Sequence, residues 1–554
     1  MKRTIYILIF AVTSLFWTAC EESIGDMPQD YLDVNDLLTD TIYVIGFVDD
    51  IYHSVPDGYN RLKGHSMIAS SSDEAVESGL NSEAENMALG IWSAANTHDD
   101  AWSSMYEGIR KTNVFFNEIY PAIPEGLFKS DNTTELLRGQ AFFFRALFHF
   151  ELIKRYGGVP VVTEVLKAGE GTDRSRDTYD DCIGFIADQC DKAAAILPVE
   201  WPNATVNFGR VTRGAALALK ARALLYAASP LFNDPAATEN SPEHGAWNPA
   251  KWQFAAQAAN DVIALGYYNL FTNYQNFFTT LNNNKEAIFL HMSTQNNEVE
   301  RLNGPSGYTN GGGGSCPTLD LVESFRMADG SSFDWSNPAH AANPFAGREP
   351  RFYATILYNG ASWMGDVIDT YEGGNDLGSS NSTKTSFYLK KFMSESARWF
   401  GGSTGSTYHC FPLFRYAEVL LNFAEAMNEA YGPSEAGSFA MNAAAALNLV
   451  RSRGGLPAVS AGLSKDELRE LIRHERKIEL AFEEHRHLDL RRWKIAGDVL
   501  NQPVQGLKII QEGTAWSYEA RVVQARVFRP EMYLYPIPKT EINRSISLLQ
   551  NSGW

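Results

Sequence analysis

This sequence predicts an all-α, mainly helical fold of tetratricopeptide-like helix pairs, carrying a loop-rich insertion that contains short strands. Three observations lead there. Apolar residues recur at three- and four-residue spacing through segment after segment on both sides of the chain's middle. The run 211–228, VTRGAALALKARALLYAA, holds seven alanines, small enough to let neighbouring helices approach closely, as stacked hairpins require. Between 267 and 409 the pattern changes to short apolar runs separated by Gly, Asn and Ser, as in Asn310–Ser315, NGGGGS, and in 373–382. The helix pairs recur every 35 to 45 residues or so without a repeated string, which marks degenerate pairs and not a regular array.

In chain order, Lys2 and Arg3 precede an apolar run from Ile5 to Trp17, too short to span a bilayer and the length of a secretory signal. The run closes on Trp17-Thr18-Ala19-Cys20, small residues before a cysteine, which resembles a bacterial lipobox with Trp17 in place of the usual leucine. Cys20 is therefore the expected lipidation site, acylated to hold the chain on a membrane. Residues 1–19 read as a lipoprotein signal peptide and 20–35 as a tether, with Glu21, Glu22 and Asp26 following the cysteine.

Residues 36–266 read as a first helical region. The pattern predicts helices over 34–53, capped by Asn35 or Asp36, then over 99–120, 136–156, 178–197, 211–228 and 248–265. The third is the most apolar. Leu137, Ala141, Phe144, Phe148 and Leu152 share one face, Gly157 and Gly158 end it, and Pro160 prevents a restart. Arg145 lies among these phenylalanines and needs a carboxylate or a route to solvent. Residues 267–409 read as the insertion, with strand-like runs at 287–291, 352–357 and 387–392. Residues 410–554 read as a second helical region, with helices from Pro412, over 438–453 and over 464–493. Ser464 and Glu467 form a capping box there. Glu475 is a carboxylate on an apolar stripe that wants a cation, with Arg451, Arg453 and Arg492 as candidates.

Composition bounds the function. Hydrophobic residues at 44% and charged ones at 20% describe a globular chain, and a formal net charge of −19 disfavours a nucleic-acid partner, which wants a basic footprint. Cys182 and Cys190 lie about 12 Å apart along a helix, too far to bridge. With no CxxC and no His cluster near them, Cys182, Cys190, Cys316 and Cys410 read as packed thiols, and no metal or cofactor constellation is legible. A calcium site built from loop carbonyls and Asp at 310–380 would leave no sequence trace.

Six separated motifs resemble the RagB/SusD family: Arg138–Pro160, Gly209–Ala216 (GRVTRGAA), Arg415–Val419, Leu447–Arg453, Ile472–Leu480 with Leu488–Trp493, and the terminal LYPIP of Leu534–Pro538 with Glu541–Asn543. The resemblance implies a tetratricopeptide-like helical body, a lipid anchor on the outer membrane facing outwards, and a non-catalytic role. It implies capture of an oligosaccharide, alternatively a peptide, and delivery to a SusC-like TonB-dependent transporter. Of functional residues it carries over Cys20 alone.

The ligand contacts must be read from chemistry. A sugar presents CH faces and a rim of hydroxyls, so it wants aromatic rings beside amides. Trp92 with Asn96, Tyr308 with Asn310, and Trp363 beside Asn359 have that composition in loop-like sequence, with Trp335 and Trp399 as secondary candidates. The 12 tryptophans favour glycan over peptide. The competing reading is an all-helical glycoside hydrolase, for which Glu425/Glu429 or Glu475/Glu479 supply paired carboxylates one helical turn apart.

Overall fold

A computed structural model describes residues 38–129, 132–167, 173–203, 206–281, 283–402 and 404–554. Cys20, the signal segment and the caps expected at Asn35 or Asp36 lie outside them, and the helix expected over 34–53 begins only after Asp40, whose side chain caps it. Ten helices of eight or more residues occur among the described residues: α1 Thr41–Ile51, α2 Trp102–Val114, α3 Asn132–Tyr156, α4 Tyr179–Ile196, α5 Arg213–Ala228, α6 Lys251–Ile263, α7 Tyr416–Tyr431, α8 Ala443–Arg453, α9 Lys465–Glu479 and α10 His485–Arg492. None of the described helices is long and apolar enough to cross a membrane.

The helices begin where short polar side chains satisfy the first free N–H groups. Asp40, Thr178, Thr212 and Asn442 each accept from a backbone N–H of the first turn, and Ser464 with Glu467 closes the expected capping box. Gly157, at φ +75°, supplies the left-handed residue that ends α3. Consecutive helices α2 to α6 pack in chain order, and α6 then packs directly on α7 although residues 264–415 intervene. The helical body is thus continuous in space and interrupted only in sequence.

Strands of three or more residues are β1 Ala75–Glu77, β2 Ala287–Met292, β3 Ser315–Pro317, β4 Cys410–Arg415, β5 Val504–Glu512 and β6 Ala515–Gln524. They pair antiparallel as β1 with β3, β2 with β4 and β5 with β6. Three expectations are corrected here, and one element is new. The helix expected from Pro412 begins at Tyr416, because 410–415 is drawn into a strand by β2. The run 352–357 is a helix over Pro350–Thr355 with only Ile356–Leu357 extended, since Pro350 at its first turn favours the helix. The helix expected over 464–493 breaks at Leu480, where Phe482 and Glu484 take left-handed φ values of +64° and +65°. The hairpin β5–β6, turning at Gly513-Thr514 with Gly513 at φ +65°, was not anticipated.

Two large apolar cores result. The first fills the helical body, with Phe143, Phe144, Phe148, Leu219, Leu420 and Phe423 buried. The second belongs to the insertion: Phe325, Phe352, Trp363, Phe387 and Leu389 pack against Ile478 and Phe482 from the helical region and Leu507 and Ile509 of the hairpin. The insertion is therefore a packed unit and not only loops on a scaffold. Cys182, Cys190, Cys316 and Cys410 are buried free thiols.

Between the cores runs a buried ionic seam. Arg351 Nη1 donates to Glu475 Oε1 at 2.6 Å and Glu479 Oε2 at 2.9 Å, and its Nε donates to Glu349 at 2.8 Å. Arg415 reaches Glu286, Glu479 and Glu483, Arg453 reaches Glu286 and Glu479, Lys391 reaches Glu483, and Arg451 reaches Glu475. Five cations thus meet five carboxylates. Glu475 takes Arg451 as expected, but its nearer partner is Arg351 of the insertion, while Arg453 pairs with Glu479 and Arg492 with Glu425 and Asp489.

Candidate functional site

The aromatic residues singled out above are placed by tertiary packing, and not all come together. Trp92 is 4% exposed, edge-on to Tyr535 at 5.1 Å and to Trp554 at 5.0 Å in the first core. Asn96, in the same loop, is exposed. Tyr308 and Trp363 lie in the second core at 8% and 1% exposure, joined by the Tyr308 hydroxyl donating to the Trp363 carbonyl at 2.8 Å. Burial raises the Tyr308 hydroxyl well above its ordinary pKa. The rings therefore show little face to solvent as placed, since each is covered by other side chains of its own core.

Asn310 is exposed and adopts φ +61°, a conformation asparagine tolerates better than most residues. Beside it the secondary candidate Trp399 is half-buried, with its Nε1 donating to the Thr309 carbonyl at 3.0 Å. Trp399 leans on Phe400 at 5.0 Å and Tyr308 at 6.0 Å, and Arg398 stacks over Phe400 at 4.4 Å. Gly304 permits this, because a Cβ there would come within 2.2 Å of the Trp399 ring. A partly open indole, an exposed amide and a guanidinium thus share one surface of the insertion, with Tyr308 and Trp363 beneath it. Trp335 is held elsewhere, its Nε1 donating to Glu323 at 2.5 Å.

The paired carboxylates are occupied. Glu475 and Glu479 sit in the seam, 1% and 0% exposed. Burial alone would raise the Glu479 carboxyl, but Arg453, Arg415 and Arg351 outweigh it and hold the group well below the ordinary range. Glu425 receives both Arg492 Nη groups, at 2.6 and 2.8 Å, and Glu429 receives Arg469 at 2.5 and 2.7 Å. A carboxylate locked against guanidinium is a poor proton donor and a blocked nucleophile. Among the described residues no group of three or more His, Cys, Asp and Glu stands together to hold a metal ion.

Comparison with known proteins gives this geometry a lineage. Residues 272–554 match the model of the SusD family, and residues 25–225 match one described as starch-binding associating with outer membrane. Among the SusD-like proteins of Formosa agariphila that align, one is 23% identical over 484 residues, covering 82% of this chain and 78% of the relative. Another is 37% identical over 146 residues, only 25% of this chain and 24% of that relative's length. A SusD-like protein from Bacteroides fragilis superposes at TM-score 0.79 with 28% identity, covering 96% of this chain and 100% of the other. A SusD-like carbohydrate-binding protein from the same organism superposes at 0.75 with 26% identity, covering 93% and 100%. The helical stack, the motifs at both ends of the chain and these matches agree: the chain belongs to the SusD family.

Proposed function

We propose that the protein is a cell-surface, lipid-anchored, glycan-binding protein that delivers oligosaccharide to a SusC-like TonB-dependent transporter in the outer membrane and performs no chemistry on it. The observation that carries glycan binding is the full-length likeness to a SusD-like carbohydrate-binding protein. The locked state of both carboxylate pairs supports a binder over a hydrolase. The lipobox-like residues before Cys20 support anchoring. The glycan contacts are the Asn310–Trp399 surface of the insertion, with Tyr308 and Trp363 as its buttress; Asn96 and Trp92 belong to a separate loop.

The test is an affinity-gel panel of polysaccharides run with the chain from Glu21 onward, followed by calorimetry. Retention by at least one polysaccharide without release of reducing ends is expected, with Trp399→Ala weakening it about tenfold through loss of a stacking ring. Hydrolysis of the retained glycan would overturn the non-catalytic reading. Retention of peptides and no glycan would replace the cargo.

A further inference from the structure

We propose that a second carbohydrate site, selective for neutral oligosaccharides, lies in the groove between residues 207–212 before α5, residues 283–285, the start of β2 and Tyr408. The inference rests on the glycan-binding reading above and shares no residue with the Asn310–Trp399 surface. The groove encloses about 870 Å³, within the size range of small-ligand sites. Phe208 and Tyr408 line it at 39% and 43% exposure, and half-buried Trp201 completes an aromatic floor. Large rings left in water inside a concavity cost free energy that a stacked sugar face would recover.

The floor is held rigidly. Trp201 Nε1 donates to the Val211 carbonyl at 2.8 Å, fixing the indole. Gly209 takes φ +80°, a conformation side chains rarely adopt, and a Cβ there would press on Met292 Sδ at 2.8 Å, so glycine favours this turn over β2. Asn207 and Asn283 lie along the groove with amides suited to hydroxyls, Asn283 being exposed.

The class of sugar follows from the charges. Three charged side chains line the groove, and each already has a counter-ion. Lys285 Nζ stands 3.5 Å from Glu200 and 3.6 Å from the centre of the Tyr267 ring, while Arg210 donates to both Asp49 oxygens at 2.7 and 3.1 Å. A uronate or sulfate ester would have to compete with Glu200 or Asp49 for a cation that is already paired, and would meet the Glu200 carboxylate in the same groove. A neutral chain gives up only hydroxyl–water bonds that the amides replace.

The experiment is calorimetry and hydrogen-exchange footprinting of the whole chain with neutral oligosaccharides (from starch, laminarin and galactomannan) and acidic ones (oligogalacturonate and sulfated carrageenan fragments). Phe208→Ala with Tyr408→Ala is the main variant; both residues are exposed, so the melting temperature should hold. The expected result is protection of 199–212 and 267–285 by a neutral oligosaccharide, with affinity at that site falling about tenfold in the double variant. Neutral binding that ignores the double variant would overturn the groove and leave the glycan reading standing, as would a footprint confined to the Asn310–Trp399 surface. Binding of acidic oligosaccharides alone would overturn the neutral selectivity. No glycan bound by the wild-type chain would bring down both readings together.

Discussion

The helical body and the seam beside the insertion bury the same guanidinium group in opposite ways. In α3, Arg145 lies over the Phe116 ring at 4.1 Å and donates to the Gln189 amide oxygen at 2.7 and 3.0 Å. It found neither of the expected outlets, a carboxylate or solvent, and burial pushes it down to about 10, offset only by Asp188. In the seam, Arg351 is fully buried against Glu349, Glu475 and Glu479, and these hold it well above its ordinary value although burial opposes them. The first charge is tolerated through dispersion and dipoles. The second completes a network in which removing any member orphans others.

The sharpest way to test this contrast is Arg351→Met. Three carboxylates would be left buried, and a loss of about 3–5 kcal/mol is expected from denaturant unfolding. A loss under about 1 kcal/mol would mean that water or rearrangement replaces the guanidinium and that the seam is not a coupled unit.

A second test sits at the edge of the insertion's core. Glu77, on β1, faces Ser315 Oγ at 3.1 Å and Ser70 Oγ at 3.5 Å, with no cation in hydrogen-bonding contact. Burial pushes it up to about 7. A carboxyl with a raised folded-state pKa binds more protons folded than unfolded between about 4.5 and 7. Its contribution to stability is therefore intact below about 4.5 and lost as pH rises through 7. Glu77→Gln should be more stable than wild type at pH 8, on the order of 2 kcal/mol, with the gap closing by pH 5. A gap independent of pH would show that Glu77 does not titrate as its surroundings dictate.

The smallest effect is expected from Arg145→Met. The substitution removes the donor of the Gln189 amide oxygen and a long contact to the Asn113 amide oxygen at 3.4 Å, and it fills similar volume, so the cost should be about 1 kcal/mol. A loss as large as that of Arg351→Met would erase the distinction between the two regions.

How much of the site was legible follows the same division. Trp399 and Asn310 were named from composition, and the bond from Trp399 Nε1 to the Thr309 carbonyl brings the two segments together. Burial was not legible. Trp92, Tyr308 and Trp363 stand in loop-like sequence, yet Trp92 is covered by Tyr535 and Trp554, more than 400 positions away, and Tyr308 by Phe400, about 90 positions away. Phe208 and Tyr408 were not singled out, because nothing local links two aromatics 200 positions apart that line one groove.

The amino-acid sequence by itself determined most of the helices, the Ser464–Glu467 capping box and the glycine that ends α3, because a helix closes its hydrogen bonds within four residues and the 3.6-residue apolar period records its buried face. Tertiary structure alone decided that 410–415 is a strand, that α9 and α10 are separate helices, and that 504–524 is a hairpin laid on the insertion's core. It also chose Arg351 as the nearer partner of Glu475. Strands and buried ion pairs are completed by residues far along the chain, Ala287 against Arg415 or Arg351 against Glu475, and no local period encodes which distant partner arrives.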